Sequence, residues 1–256
     1  MSICTGRVRE IYNTMDEVIS ADKALNKLNK EGILDELSTI VLRHRLESHF
    51  GIRLLHKHNE INDGELMIER PECLVDGRDC LTTMATNAPF SSSDMYPNSW
   101  RLVDGAMEAI EYSVDPLVCG NHISSERVGV FFEEFGAVLH RLQVETLLGP
   151  CVIPRQFHSK KPNGAILVEE TDEDRRANIV AFSDPSTYNA VRLIDATWVV
   201  KSPGSTEIVA GCGTHCASGG SCVPHSACVI AGDGSHSSQS HHSSGGHIAQ
   251  HYQTGG

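Results

Sequence analysis

Phe50-Gly51-Ile52-Arg53-Leu54-Leu55-His56-Lys57-His58 is the stretch whose reading decides the fold. Before it, apolar residues recur at helical spacing. From Gly51 onward Ile52, Leu54, His56 and His58 fall on one face of an extended chain, with Arg53, Leu55 and Lys57 on the other. The change of period marks the passage from helix to sheet. Asn59 to Gly64 is rich in turn formers, and Glu65 to Glu69 reads as a return strand. Residues 51–69 are therefore expected to form a hairpin with a longer loop, ended by Pro71.

Two helices are expected upstream. Ser20 to Lys30 has a capping Ser, good helix formers and Gly32 just beyond its end; in Ile33 to Arg43 the residues Ile33, Leu37, Ile40 and Val41 share one face. Downstream, residues 73–99 read mostly as loop, with strand structure resuming at Trp100 to Val103. Ser124 or Ser125 opens the strongest helix in the chain. Its apolar residues Val128, Phe131, Phe132, Phe135, Val138, Leu139 and Leu142 recur at threes and fours and run to about Leu142. Gly149-Pro150 ends that region. Ala165 to Glu169, Ile179 to Phe182 and Thr197 to Val200 read as short strands, and apolar periodicity is lost from Lys201 onward.

The expected fold class is α+β, a mixed or antiparallel sheet with a long packed helix, followed by a largely disordered C-terminal tail. Its expected divisions are a globular body over 1–210, a Cys/His cluster over 211–231 and a Ser/Gly/His-rich tail over 232–256 with almost nothing to bury. A chain of 256 residues with 40% hydrophobic content supports a sizeable core. The net charge of −12, with 21 basic against 33 acidic residues, argues against a nucleic-acid partner. No stretch approaches the roughly 18 apolar residues of a membrane span, and the N-terminus has no apolar leader segment, so a soluble, cytoplasmic protein is expected. Of the nine cysteines, Cys4, Cys73, Cys80, Cys119 and Cys151 are scattered singly and read as small hydrophobes or free thiols.

From Cys212 to Gly256 there are four cysteines, seven histidines and a single charged residue, Asp233. Cys212-Gly-Thr-His215-Cys216 and Cys222-Val-Pro-His225-Ser-Ala-Cys228 repeat a Cys-x-x-His unit ten residues apart. Cys212, His215, Cys222 and His225 are of the type and number that tetrahedral zinc requires, and Cys216 and Cys228 are spare or replace the histidines in a Cys4 set. Transient disulfides and a polar tail with incidental thiols are the competing readings. His236, His241, His242, His247 and His251 offer looser imidazole donors in Ser/Gly context, which low-complexity drift explains equally well.

His56 and His58 resemble the His-x-His of cupin metal sites. The match breaks down because Gly51 lies one residue too close, Glu60 and Glu65 flank the expected Glu position without filling it, and no Gly-rich second motif with a His follows. The pair then reads as a strand whose polar ends reach solvent or a carboxylate. No phosphate loop, dinucleotide fingerprint or Gly-x-Ser-x-Gly elbow is present. Glu133 and Glu134 point about 100° apart on a helix and read as its solvated face. No nucleophile or general base is assigned, so the sequence leaves open whether the chain is an enzyme.

Leu46-Glu-Ser-His-Phe50-Gly51-Ile-Arg-Leu54-Leu55-His56-Lys57-His58, followed by Gly64-Glu65, Trp100, Glu111-Tyr112, a helix beyond and a Cys/His-rich end, resembles a set of uncharacterised proteins from filamentous fungi. That resemblance implies no activity and carries over no catalytic residue. It implies an accessory role in fungal secondary metabolism. The leading expectation is a non-enzymatic protein whose tail binds zinc or responds to thiol stress. The alternative is an enzyme or accessory protein of secondary metabolism with a pocket near His56 and His58.

Overall fold

The computed structural model describes residues 3–74, 76–87, 95–115, 124–153, 161–188 and 193–201, together with the backbone of 202, 205–212, 215–216 and 222–223. The chain opens with three helices, α1 Thr5–Asn13, α2 Val18–Leu25 and α3 Lys30–Arg43. Five strands follow, β1 Phe50–Leu54, β2 Leu66–Cys73, β3 Asp79–Thr86, β4 Tyr96–Val103 and β5 Ala106–Ser113. After α4 Ser125–Leu142 come β6 Leu148–Val152, β7 Ile166–Asp172, β8 Ala177–Ser183, β9 Ile194–Ser202 and β10 Ser205–Cys212. The short strands β11 His215–Cys216 and β12 Cys222–Val223 pair with each other.

The first ten strands hydrogen bond in the order β1-β6-β4-β5-β2-β3-β8-β7-β10-β9, and pairing of Ile52 with Trp198 and Arg53 with Thr197 joins β9 back to β1. The sheet is thus a closed barrel of mixed direction: β2 runs parallel to β5, and β10 to β7, while the other pairs are antiparallel. Closure removes the free edges of an open sheet.

Alternation along the strands sorts two faces. Phe50, Ile52 and Leu54 of β1 share a core with Trp100, Trp198, Val200 and the apolar faces of α2, α3 and α4. This outer cluster is centred on Phe131 and Phe135, both fully buried, with Phe131 stacking at 5.1 Å from Phe50 and 5.4 Å from Phe135. Arg53, between Ile52 and Leu54, must then point inward. Helix α4 is N-capped by Ser124, whose Oγ accepts from the Arg127 amide. Gln143 in the left-handed conformation ends it. Gly149 is needed where β6 crosses β4, because a Cβ there would lie 2.1 Å from the Trp100 carbonyl oxygen.

Several expectations change. The helix expected to be long has 18 residues, an ordinary length. Gly32 sits inside α3 because Asn29 caps it and starts it earlier, at Lys30. Residues 51–69 do not form a hairpin. β2 instead turns back into β3 through a short loop in which Gly77 has φ +84°, and β1 finds its partners in β6 and β9. Periodicity fixes which face a residue takes, not which strand lies beside it. Pro71 does not end β2 but lies beyond its last β5 partner, Glu69, where the missing amide costs no rung on that side. The stretch 73–99, read as loop, contains β3 and the start of β4, and Gly149-Pro150 lies within β6. β10 runs across residue 210, where the body was expected to end. The strands read at Ala165 to Glu169, Ile179 to Phe182 and Thr197 to Val200 correspond to β7, β8 and β9. Glu133 is exposed, whereas Glu134 binds Arg43 and His44 and ties α4 to α3. Among the described residues no helix is long and apolar enough to cross a membrane.

Candidate metal centre

The inward face of the barrel carries a layer of charge. Arg53 from β1 reaches Glu111 of β5 and, at 3.4 Å, Oε1 of Glu169 on β7. Glu69 of β2 lies in the same layer, hydrogen bonded with Ser113 and Asn98. Apolar clusters lie on either side: Leu81, Leu167, Val180 and Phe182 toward one end, and Tyr12, Leu55, Ile61, Met67 and Ile110 at the end covered by α1. Sequestered charges of this kind cost stability unless they are paired.

Two bulges place side chains in this layer. Between β4 and β5 the register steps from Pro97 opposite Tyr112 to Ser99 opposite Glu111, leaving Asn98 extra. It steps again to Trp100 opposite Ala109, leaving Ile110 extra. Each bulge turns two successive residues to one side of the sheet. Ser99, Ile110 and Glu111 all line one small interior cavity, and Asn98 reaches Glu69.

His56 and His58 do not continue β1, which ends at Leu54. Hydrogen bonds from the Leu55 amide to the Leu147 carbonyl and from the Lys57 amide to the Asp16 carbonyl draw the chain across the barrel's end beneath α1. Both imidazoles therefore turn inward and are buried, at 5% and 7% exposure, rather than reaching solvent. His56 Nδ1 lies 2.8 Å from the Leu54 carbonyl oxygen, which can only accept, so Nδ1 carries a hydrogen and donates it, leaving Nε2 as the ring's potential metal donor. His58 Nδ1 bonds Thr171 Oγ1 at 2.8 Å.

The two Nε2 atoms are 3.0 Å apart, and each lies 3.6 Å from Oε2 of Glu169. That oxygen is buried and has no hydrogen-bond partner among the described residues. Burial alone would push the Glu169 carboxyl up, but the two histidines and the Arg53 charge reverse this and hold it well below the usual carboxylate range. Burial lowers the pKa of His58, so its ring is neutral near pH 7. An ionised oxygen and two imidazole nitrogens thus face one another with too few protons to satisfy all three. Separations of 3.0, 3.6 and 3.6 Å define a point about 2.0 Å from all three atoms, the bond length of zinc to imidazole or carboxylate.

No protein-family model, curated protein or solved structure matches the chain. The site therefore has to be read from its own geometry.

The cavity beside these atoms is lined by Arg53, Leu55, both histidines, Ser99 and Glu111 and has a volume of about 10 Å³. That is room for about one water molecule, not the large apolar pocket that an organic substrate would need. Ser99 Oγ is buried and lacks a hydrogen-bond partner among the described residues, and the pKa of the buried Tyr12 hydroxyl is raised by burial and then by Glu111. Cys151, also buried beside Arg53, has its thiol pushed up to about 12, chiefly by burial, and is unreactive.

Of the tail residues read as zinc ligands, Cys212 ends β10 as the register partner of Glu169. His215 and Cys216 lie on β11, and Cys216 is the register partner of Cys222 on β12. His225 and Cys228, and the five histidines from His236 onward, lie outside the described residues. His56 and His58 were visible as a pair in the sequence. Glu169, 111 residues beyond His58, carried no sequence signal that set it apart from Glu170.

Proposed function

We propose that this barrel holds one divalent metal ion on His56 Nε2, His58 Nε2 and Glu169 Oε2. The observation that carries the reading is the convergence of His56 Nε2, His58 Nε2 and the buried Glu169 Oε2, which has no hydrogen-bond partner among the described residues, on one point at metal-bond distance from each. Charge supports it. Arg53 stands against Glu111 and Glu169, leaving a net negative interior before Glu69 is counted, and a divalent cation offsets the excess. The roles of the surrounding groups follow. Leu54 O fixes the His56 tautomer, Thr171 Oγ1 orients the His58 ring, and Arg53 occupies Oε1 so that Glu169 offers a single oxygen.

Zinc is the favoured ion. With bonds of about 2.05 Å, neighbouring donors lie about 2.9 Å apart on an octahedral face and about 3.3 Å apart in a tetrahedron. The two separations to Glu169 Oε2, 3.6 Å each, exceed the octahedral value, while the two imidazole nitrogens stand 3.0 Å apart. Three protein ligands and a fourth open position form the pattern of zinc sites that polarise water or a carbonyl group, which favours hydration or hydrolysis over dioxygen chemistry. An intracellular enzyme or accessory protein of secondary metabolism is the setting we propose for it.

A second reading keeps a zinc or thiol-responsive site on Cys212, His215, Cys216, Cys222, His225 and Cys228. It is favoured by the register of β11 against β12. Directly opposed residues of an antiparallel pair have Cα atoms about 4.5–5.5 Å apart, so Cys216 and Cys222 are close enough to share a metal or a disulfide.

Elemental analysis of full-length protein purified without an affinity His-tag separates the two. About one zinc per chain, lost in His58→Ala and retained in Cys216→Ser/Cys222→Ser, supports the barrel site. Zinc lost only with the cysteines moves the metal to the tail, and a metal-free wild-type chain removes both.

A further inference from the structure

The metal reading leaves open what the barrel offers opposite the three ligands. The cavity lined by both histidines is also lined by Ser99, Glu111 and Arg53, with Leu54, Leu55 and Ile110 as its apolar wall. Ser99 is fully buried and its hydroxyl has no partner among the described residues, although it stands on a bulge that turns it into this space. A buried hydroxyl without a partner is destabilising, and a bulge is a specific departure from regular pairing rather than a default. Resting on the metal reading, we infer that the cavity is the fourth coordination position and that it takes an exchangeable ligand of water's size, either water itself or a small monodentate anion.

Each wall contributes to that selectivity. Ser99 can donate a hydrogen bond to the ligand, Glu111 can accept one from bound water, and Arg53 balances the charge of an anion in the same place. A volume of about 10 Å³ is room for about one ligand of water's size. The position is therefore selective by size. It admits fluoride, which matches hydroxide, and resists azide, which is three atoms long. The rival fourth donor is Cys212, the register partner of Glu169 at the end of β10.

Cobalt(II) is the probe, because its visible bands report coordination number and a thiolate ligand adds a near-ultraviolet charge-transfer band. The expected result for the full-length protein is one cobalt per chain with no thiolate band, a saturable change of the visible bands with fluoride, and azide weaker by at least about tenfold. Ser99→Val, which fills the cavity, should bind cobalt and lose the fluoride response, while Ser99→Ala should keep it. Cobalt that binds with no response to either anion, or responds equally to both, overturns the inference and leaves the metal centre standing as a closed or an open site. A charge-transfer band abolished by Cys212→Ser overturns it in favour of a thiolate donor. Failure to bind cobalt at all takes down the metal reading itself.

Discussion

Glu169→Gln is the most informative single perturbation because its two consequences separate. Without metal, the variant loses a buried charge whose Oε2 had no donor, while Arg53 keeps Glu111 as its partner. The interior then holds one cation against one anion. Losing one partner of a buried pair costs about 3–5 kcal/mol where it strands a charge; here no charge is stranded, and the expected change in metal-free stability is under about 2 kcal/mol. With metal the outcome is different. Wild-type protein at a free zinc concentration one hundred times Kd gains about 2.7 kcal/mol, which for a chain of this size raises Tm by about 5–10 °C. An amide in place of the carboxylate should weaken binding at least about hundredfold, so the same concentration sits near the new Kd. The gain then falls to about 0.4 kcal/mol and the rise to about 1 °C. Thermal unfolding followed by circular dichroism, with and without zinc and in a Cys216→Ser/Cys222→Ser background to silence the tail, reads both quantities. A full metal-dependent rise in Glu169→Gln refutes the reasoning, because the ion would then be bound elsewhere.

Three further outcomes follow from the fold. Burial raises the Glu69 carboxyl to about 7 from its ordinary 4.5, so the folded state holds its proton more tightly than the unfolded chain; stability should fall as pH rises from about 4.5 to about 7 and then level. Glu69→Gln should remove that slope and gain up to about 3 kcal/mol on the wild type between pH 4 and pH 8, and parallel denaturation curves at the two pH values would contradict it. Glu65 shows the opposite sign: its hydrogen bond with Arg176 holds the carboxyl down to about 2, so the ion pair stabilises fully above about 4.5 and is lost as pH falls toward 2, and Arg176→Met should flatten the acid limb by roughly 2 kcal/mol. Gly149→Ala places a Cβ 2.1 Å from the Trp100 carbonyl oxygen and should cost at least about 3 kcal/mol in chemical denaturation, whereas Gly129→Ala, with open space around it and a helical position, should be neutral or stabilising.

How much of this was legible in the sequence depends on the range of the physics involved. Helix α4 was readable because its signal is local: Ser124 caps, Phe131, Phe135 and Leu139 repeat at helical spacing, and nothing distant is needed to place that face on a core. The strands β7, β8 and β9 were readable for the same reason. Closure of the sheet was not. It depends on β1 choosing β6 and β9, 94 or more residues away, over the nearby β2, and the pattern Ile52, Leu54 is the same for either choice. β6 was lost because Gly149-Pro150 reads as a breaker, although its glycine is required by the close approach of Trp100. α1 was missed because it has only nine residues, Thr5 to Asn13, and depends on burying Val8, Ile11 and Tyr12 against the barrel.

The site shows a different kind of illegibility. Placing His56 and His58 on one face of a strand was correct about their being neighbours but wrong about their surroundings, because β1 stops at Leu54 and the chain bends inward under α1. An alternating strand would have put both rings on the face of Ile52 and Leu54, against the helices; two backbone bonds to Leu147 and Asp16 put them inside instead. The third donor depends on a parity that only pairing reveals. On β7 the inward positions are Leu167, Glu169 and Thr171, so a one-residue slip would aim Glu170 at the histidines' side and expose Glu169. His58 is held by Thr171 Oγ1 on the same strand that supplies Glu169, and that shared strand fixes the ligand and its orienting group together. A change that shifts the register of β7 against β8 would therefore remove the carboxylate and the group that orients His58 in one step, while leaving the composition of the barrel wall unchanged.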